Sequence, residues 1–311
     1  MNVVKKHPPE KISKKPEISI VMNCYNSATY LAESVKTVLG QTFTNWEIVF
    51  WDNQSTDDSA KIIKSFKDKR IRYFYAPRHT DLGEARNLAI EKTKADWIAF
   101  LDCDDLWLPE KLEEQFSIVK EEKKRKTNLG LVYCKTTIFG DHFKEKEPDF
   151  YTVWEHLPQG DIFYEYLLTT NFIPLLSALI NKKIFLKTGG IPTQYRQAED
   201  YYLFAAISEI SAARAVNKTL CRYRIHSGNL TAKQKMLSVT ESLEILDHWK
   251  HKFAKSSGAL KRWRRKVKIL LSLKFIYLVL LHSDYSQALR LLIKENLFWP
   301  VLRLVITRKD F

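Results

Sequence analysis

Residues 97–105, Trp-Ile-Ala-Phe-Leu-Asp-Cys-Asp-Asp, decide the fold. The apolar first half predicts a buried strand that ends at Asp102. Asp102, Asp104 and Asp105 repel each other unless a cation lies near them, and Mg²⁺ and Mn²⁺ prefer carboxylate oxygens and often share substrate phosphates. The stretch therefore predicts a metal and diphosphate site. The alternative is an Asp cap on the helix that begins at Pro109.

Predicted strands and helices alternate four times between residues 18 and 124. The strands are predicted at 18–22, 46–51, 71–75 and 97–101, and the helices at 30–39, 57–66, 83–92 and 109–124. This order is typical of an α/β fold with a mostly parallel, doubly wound sheet and helices on both faces. Binding sites in such sheets lie beyond the carboxyl ends of the strands, where the polar residues of this chain cluster.

The remainder of the chain has a less regular pattern. Strands are predicted at 129–139, 171–181 and 213–224, a helix at 198–210, and helices from 233 to the end. Two loops, at 140–160 and 189–198, are the candidates for contact with a second substrate.

The net charge of +14 is concentrated at the two ends of the chain. Residues 1–16 carry five Lys and one Glu, a net charge of +4, and residues 251–311 carry 14 basic and 3 acidic side chains, a net charge of +11. Residues 17–250 sum to −1. We therefore predict a flexible basic tail at 1–16, a central domain at 17–232 and a basic amphipathic helical region at 233–311.

The cysteines and the apolar runs indicate in which cellular compartment the protein is expected. The four cysteines lie far apart and form no C-x-x-C pair, so neither a zinc site nor a disulfide framework is predicted. The N-terminal residues lack the apolar run of a secretory signal, and the apolar stretch at 269–281 is shorter than the roughly 20 residues of a membrane-spanning helix. We expect a cytoplasmic protein, soluble or bound to a surface.

Polar and aromatic side chains at the strand ends are candidates for a ligand site. Tyr25 could stack on a nucleobase, although an aromatic at such a position is more often part of the core. Asp52 and Asn53 could accept hydrogen bonds from a base or a ribose, and a turn before a helix cap explains them equally well. Arg86 could pair with a phosphate or be a solvated surface residue.

Three residues of the second half could also carry chemistry. Glu199 and Asp200 open a predicted helix, where a carboxylate could act as a general base or could simply favour the helix N-terminus. His226 could ligate a metal, pair with a phosphate, or lie in a surface loop without a function.

Together and in this order, the motifs resemble the family 2 glycosyltransferases, which have the nucleotide-sugar-binding GT-A fold. The resemblance covers about residues 17–230. It is carried by Tyr25-Asn26, Gln41-Thr42, Glu47-Ile48, Asp52, Ser55-Thr56-Asp57, Ala85-Arg86-Asn87, Phe100-Leu101-Asp102, Asp104-Asp105, Trp107, Pro109, Lys111-Leu112, Glu199-Asp200, Tyr223-Arg224 and His226.

This resemblance implies an inverting, metal-dependent transferase. The donor would be a nucleotide-sugar, by default a UDP-sugar, and the acceptor a hydroxyl of a saccharide or lipid-linked molecule in cell-surface polysaccharide or lipopolysaccharide synthesis. Asp200 is implied as the catalytic base, next to Glu199. Mn²⁺ or Mg²⁺ would be held by Asp104 with Asp102, and by His226, and would neutralise the leaving diphosphate.

The resemblance also implies which residues bind the donor. They are Asn23, Tyr25, Asp52, Asn53, Arg86, Asp102 and Cys103. The family often has Pro where Asn23 stands and a second Asp where Asn53 stands. Asn53 can still accept a hydrogen bond from a base but lacks the charge, which leaves the nucleotide open.

The C-terminal region lies outside the motifs. A cationic cluster at 261–268 contains Trp263 and leads into apolar residues 269–281, and further apolar runs at 289–298 and 301–306 are broken by basic residues. This pattern predicts helices that lie on the anionic inner face of the cell membrane; the alternative is a helical subdomain packed on the catalytic domain.

Three other functions compete with the leading one. Within the fold, the chain could be a polyprenyl-phosphate sugar synthase. From other classes, it could be a basic nucleic-acid-binding protein or a catalytically inactive membrane scaffold. The neutral body of the chain counts against nucleic acid, and no oligomeric state is predicted.

Overall fold

The computed structural model describes residues 15–140, 155–169, 171–229, 234–254 and 256–281. Within them, the four predicted strand–helix pairs of the first half are present, with one unpredicted two-residue strand between the fourth strand and its helix. The strands are β1 (Ile18–Cys24), β2 (Trp46–Asp52), β3 (Ile71–Tyr75), β4 (Trp97–Phe100), β5 (Leu106–Trp107), β6 (Leu129–Gly140), β7 (Leu179–Asn181) and β8 (Ala212–Ile225). The helices are α1 (Ala28–Leu39), α2 (Ser59–Ser65), α3 (Leu82–Glu91), α4 (Lys111–Lys124), α5 (Phe163–Thr169), α6 (Lys182–Lys187), α7 (Glu199–Ile210), α8 (Lys235–His248), α9 (Lys250–Ala254) and α10 (Gly258–Leu281).

The strands form one eight-stranded sheet in the order β3-β2-β1-β4-β7-β6-β8-β5. Strands β1 to β4 are parallel, β7 is antiparallel to β4 and β6, and β6 is parallel to β8. Cys24 pairs with Asp52, and Val21 pairs with Phe100. The carboxyl ends of β1, β2 and β4 therefore meet at one edge, where we expected the ligand site.

Apolar side chains cover both faces of this sheet. On β1, Ile20 and Met22 belong to one core, which includes Leu31 of α1, whereas Val21 belongs to the other, which includes Phe204 of α7. Alternate residues of a strand point to opposite faces, so the short apolar run of β1 is explained by helices on both sides.

The C-terminal helices pack on the same core as α5 and α7. Leu243 of α8, Phe253 of α9 and Val267 of α10 are buried in it. Trp249, directly after α8, meets Phe163 of α5 edge to face, with ring centroids 5.9 Å apart. None of the helices within the described ranges is long and apolar enough to cross a membrane.

The sequence interpretation was wrong over 171–181. Only Leu179–Asn181 is a strand, and a short 3₁₀ turn at Leu175–Ser177 precedes it. Pro174 stands before this turn; it has no N–H for a strand partner, so the apolar pattern could not extend the strand through it.

The helices α5 and α6 were not predicted because each is only six or seven residues long. The predicted tail is described only at its last residues. Most of the loop predicted at 140–160 and the apolar runs at 289–298 and 301–306 lie outside the described residues.

Candidate active site

The three aspartates after β4 face different partners. Both carboxylate oxygens of Asp102 accept hydrogen bonds from Arg86 Nη2, at 3.1 and 3.2 Å. Asp104 Oδ2 lies 2.9 Å from His226 Nε2. Asp105 is buried, and its Oδ1 accepts the backbone N–H of Arg224 on β8 at 2.9 Å. The acidic cluster thus contributes two carboxylates to the site and one to holding the loop against β8.

The surroundings of these carboxylates favour added positive charge. Burial, followed by the charge of Asp102, raises the pKa of Asp104, and the nearby His226 opposes this shift. Burial and the charge of Asp104 hold the pKa of Asp105 well above its ordinary value. Like charges held close together in a partly buried loop are stabilised by a cation.

Asp104 and His226 fit a divalent cation that is shared with a substrate. They offer one carboxylate oxygen and one imidazole nitrogen side by side. Mg²⁺ and Mn²⁺ at nucleotide sites commonly take one or two protein ligands and obtain the others from phosphates and water. The described residues contain no group of three or more His, Cys, Asp or Glu side chains that could hold a metal without a substrate.

Arg86 joins the acidic loop to the start of α7. It is only 4% exposed, so it is not the solvated surface residue that the sequence left open. Its Nη1 donates to Glu199 Oε1 at 2.6 Å, while its Nη2 donates to Asp102. One buried guanidinium therefore brings together two motifs that lie about a hundred residues apart in the chain.

Glu199 and Asp200 form the first turn of α7. Burial raises the pKa of Glu199 to about 7, although Arg86 opposes the shift. Burial also raises the pKa of Asp200, against the effects of Asn171 and Arg86. Asp200 Oδ1 accepts the backbone N–H of Tyr201 at 2.7 Å. A carboxylate with a raised pKa is a better acceptor for a hydroxyl proton.

Asp52 and Asn53, at the end of β2, are buried and bonded to the protein itself. Asp52 accepts the backbone N–H of Ser55 and the hydroxyl of Tyr73, each at 2.7 Å. Asn53 Nδ2 donates to the Thr80 carbonyl at 2.8 Å, and its Oδ1 accepts the Thr80 N–H at 3.2 Å. These contacts make both residues supports for the walls of the predicted donor pocket.

The end of β1 presents different groups. Tyr25 is 52% exposed and lies against the His79 ring with a centroid distance of 4.4 Å. The buried Nδ2 of Asn23 has no hydrogen-bond partner in the described part of the chain. Cys103 is buried, and its thiol donates to the Asn23 carbonyl at 3.3 Å. Of these three side chains, Tyr25 offers a surface to a ligand and Asn23 an unused donor.

Two residues that orient the site received no role from the sequence, although both lie in its motifs. Arg224 donates from Nε to the Asp104 carbonyl at 2.7 Å and lies over the Tyr30 ring at 4.2 Å. Asn87 donates to the Ile191 carbonyl at 2.8 Å and accepts the Ile191 N–H at 3.0 Å. The sequence could have pointed to Arg224 and Asn87, because they lie in the same motifs as His226 and Arg86.

Comparison with known proteins identifies relatives of this chain. The sequence profile of "Glycosyl transferase family 2" matches residues 19–188. The chain is 28% identical over 219 residues to the Escherichia coli UDP-Glc:alpha-D-GlcNAc-diphosphoundecaprenol beta-1,3-glucosyltransferase WfgD, covering 70% of this chain and 80% of WfgD. It is 25% identical over 224 residues to the putative teichuronic acid biosynthesis glycosyltransferase TuaG of Bacillus subtilis, covering 71% and 83%.

A solved structure shows the same fold. Residues 1–349 of S. aureus TarS, in complex with UDP-GlcNAc, superpose with a TM-score of 0.60 at 15% identity, over 82% of this chain and 71% of that one. The GT-A fold that the resemblance implied is thereby confirmed. The chain spans only about a third to a half of the length of some other glycosyltransferases that it matches.

Proposed function

The chain belongs to glycosyl transferase family 2, and from this premise we propose that it transfers a sugar, with inversion, from a UDP-sugar to a hydroxyl of a lipid-linked saccharide. The product would serve cell-surface polysaccharide synthesis. The names of WfgD and TuaG support this assignment. The observation that supports it most is the pair of contacts made by Arg86, whose guanidinium joins Asp102 of the acidic loop to Glu199 at the start of α7.

In this proposal the donor lies along the ends of β1, β2 and β4. Tyr25 stacks on the base, and Asn23 belongs to the donor-binding residues at the end of β1. Asp52 and Asn53 hold the pocket in shape. Asp104 and His226 would hold Mn²⁺ or Mg²⁺, with Asp102 beside them, and a cation held there would supply positive charge for the leaving diphosphate.

Asp200 acts as the base. Its carboxylate takes the proton of the acceptor hydroxyl while the oxygen forms its bond to the anomeric carbon and the bond to the diphosphate breaks. The raised pKa of Asp200 suits this step. Glu199 remains with Arg86 and keeps the guanidinium in place.

A panel of UDP-glucose, UDP-GlcNAc and GDP-mannose with Mn²⁺ tests the proposal. The acceptor is a GlcNAc-diphosphate on a short prenyl chain, chosen to match the acceptor in the name of WfgD. We expect nucleoside diphosphate release with one UDP-sugar, loss of release with EDTA, and a higher Tm with UDP and Mn²⁺. Failure of every donor to raise the Tm or to be consumed contradicts the proposal.

We also propose that α10 places the enzyme on the inner face of the cell membrane. One face of α10 packs inward through Val267 and Leu271. The opposite face exposes Lys261, Arg262, Arg265 and Lys266. Trp263 is 41% and Leu270 65% exposed. They lie two helical turns apart at the border between the buried face and the basic face, since each is three or four residues from Val267. Basic residues next to exposed Trp and Leu fit an anionic lipid surface.

Vesicle sedimentation tests this part separately. Wild type is expected to bind phosphatidylglycerol vesicles more tightly than phosphatidylcholine vesicles. Replacing the four exposed basic residues of α10 by Gln should lower the affinity about 1,000-fold, at about 1 kcal/mol for each charge. Arg264 and Lys268 are left unchanged because both pair with Asp247.

The control variant removes four exposed lysines elsewhere: Lys61, Lys67, Lys69 and Lys94. Equal loss of vesicle binding in this control, or binding without preference for anionic lipid, contradicts the role of α10.

A further inference from the structure

We propose that Glu241, on α8, is a positioning residue for the catalytic turn of α7. Its carboxylate fixes the backbone just before Glu199 and Asp200, and through it the direction of the Asp200 side chain. This inference rests on the proposed role of Asp200 as the base. It assigns a part in catalysis to the C-terminal helices, which lie beyond the family match at residues 19–188.

The contacts are three hydrogen bonds to one buried carboxylate. Glu241 is only 4% exposed. Its Oε1 accepts the backbone N–H of Arg196 at 2.8 Å, and its Oε2 accepts those of Gln197 at 2.8 Å and Ala198 at 2.9 Å. Hydrogen bonds to an ionised acceptor are stronger and shorter than neutral ones, so this stretch of backbone is held firmly.

These three residues lead directly into α7. Ala198 is the N-cap of the helix, and an alanine side chain has no atom that could accept a hydrogen bond from the first turn. Glu241 therefore supplies, from another helix, the anchoring that the local sequence lacks. Arg86 donates a hydrogen bond to Glu199 on the same turn. The turn that carries Asp200 is thus held by Arg86 of α3 and Glu241 of α8.

The segment before α7 is also held at its other end. Gly189 and Gly190 have φ values of +86° and +82°, a conformation that suits glycine. Next to them, Asn87 exchanges two hydrogen bonds with Ile191. Residues 191–198, within the loop predicted at 189–198, are therefore bonded to α3 at one end and to α8 at the other. Loss of the hydrogen bonds made by either Asn87 or Glu241 should therefore displace the loop and Asp200 together.

The test compares three variants in the full chain. Glu241→Gln keeps the size of the side chain but replaces one accepting oxygen by an NH₂ group that cannot accept. Glu241→Asp keeps the charge with a shorter reach. Glu244→Gln removes the same charge from an exposed position on the same helix and is the matched control.

We expect Glu241→Gln to lower kcat about 10-fold to 100-fold at saturating UDP-sugar, since small misplacement of a catalytic group has effects of this size. The rise in Tm caused by UDP and Mn²⁺ should stay as in wild type, because the donor side is not touched. Glu241→Asp should recover part of the lost kcat, and Glu244→Gln should match wild type.

Hydrogen exchange gives a readout that does not depend on activity. In Glu241→Gln, the amides of Arg196, Gln197 and Ala198 should exchange at least about tenfold faster, while those of β1 and β2 stay protected. If Glu241→Gln does not fold, the same measurement on Glu241→Asp decides the question.

Two results overturn the inference: a normal kcat in Glu241→Gln, or a loss of kcat that is matched by loss of the UDP-dependent rise in Tm. Neither result touches the proposed function, which fails instead if Asp200→Asn transfers sugar at the wild-type rate.

Discussion

The proposed donor side of the site, at the ends of β1, β2 and β4, and the proposed acceptor side, at residues 189–200, are held in place by different means. On the donor side, neighbouring strand ends bond to one another: the Asn53 N–H donates to the Cys24 carbonyl at 2.8 Å, and Asn26 N donates to Ser55 Oγ at 3.0 Å. On the acceptor side, hydrogen bonds join the loop to α3 and α8. Neither helix is adjacent to the loop in the chain.

This difference affects how far the amino-acid sequence of each side can change. The parallel sheet forces the donor groups together, so the same few motifs suffice to build that side. The acceptor loop depends on single side chains, such as Asn87 and Glu241, that reach it from helices. The sequence of the loop between these contacts can therefore change without disturbing the donor groups.

The largest effect is expected from Asp200→Asn. The amide cannot take the proton of the acceptor hydroxyl, so kcat should fall about 1,000-fold. Binding of UDP and Mn²⁺, measured by the rise in Tm, should be unchanged because Asp200 belongs to the acceptor side. A mild loss of kcat would instead indicate an acceptor that needs no base, as in a polyprenyl-phosphate sugar synthase.

Asp104→Asn should impair donor and metal binding and leave the acceptor side unchanged. Losing the charged oxygen next to His226 should lower kcat/KM about 100-fold and abolish the dependence of UDP binding on Mn²⁺, which calorimetry with and without Mn²⁺ measures. Asp96→Asn is the control, since Asp96 is 81% exposed and precedes β4 at the opposite edge of the sheet. Unchanged Mn²⁺ dependence in Asp104→Asn would contradict the metal assignment.

Glu199→Gln tests the electrostatics where the two sides meet. The pKa of Glu199 is raised to about 7 by burial, from an ordinary 4.5. The folded chain therefore binds this proton more tightly than the unfolded chain, and the stability gained is present below pH 4.5 and lost as the pH rises through 7. The difference in pKa corresponds to about 3 kcal/mol at most.

The variant lacks this titration. The Tm of Glu199→Gln relative to wild type should therefore rise between pH 5 and pH 8, as thermal scans in a series of buffers would show. A relative Tm that stays constant over this range would mean that Arg86 keeps Glu199 ionised throughout.

Asn53→Asp should have the smallest effect. A carboxylate cannot donate to the Thr80 carbonyl and would face it with a negative charge, which should lower the stability by about 1–3 kcal/mol. UDP affinity should change only a few-fold, because both polar atoms of Asn53 are already used by Thr80. A tenfold gain in UDP affinity, measured by calorimetry, would show that this residue faces the base.

Much of the donor side could be predicted from the sequence. Strands β1, β2 and β4 are buried, short and largely apolar. Polar residues stand at or just after their carboxyl ends. The identity of the partners could not be predicted: Asp105 looked like a third site carboxylate, but it bonds to the backbone of Arg224 on β8. Nothing in the order of residues says which of three neighbouring carboxylates is turned inward.

By itself, the sequence determined the alternation of strands and helices, the edge of the sheet where the motif side chains meet, and the family. These follow from local apolar patterns and from the rule that parallel strands end at the same edge. Only the tertiary structure decided that Arg86 is buried between Asp102 and Glu199, and that Glu241 anchors the start of α7. Both depend on contacts between residues far apart in the chain, whose geometry is set by how helices pack on the sheet and not by any local pattern.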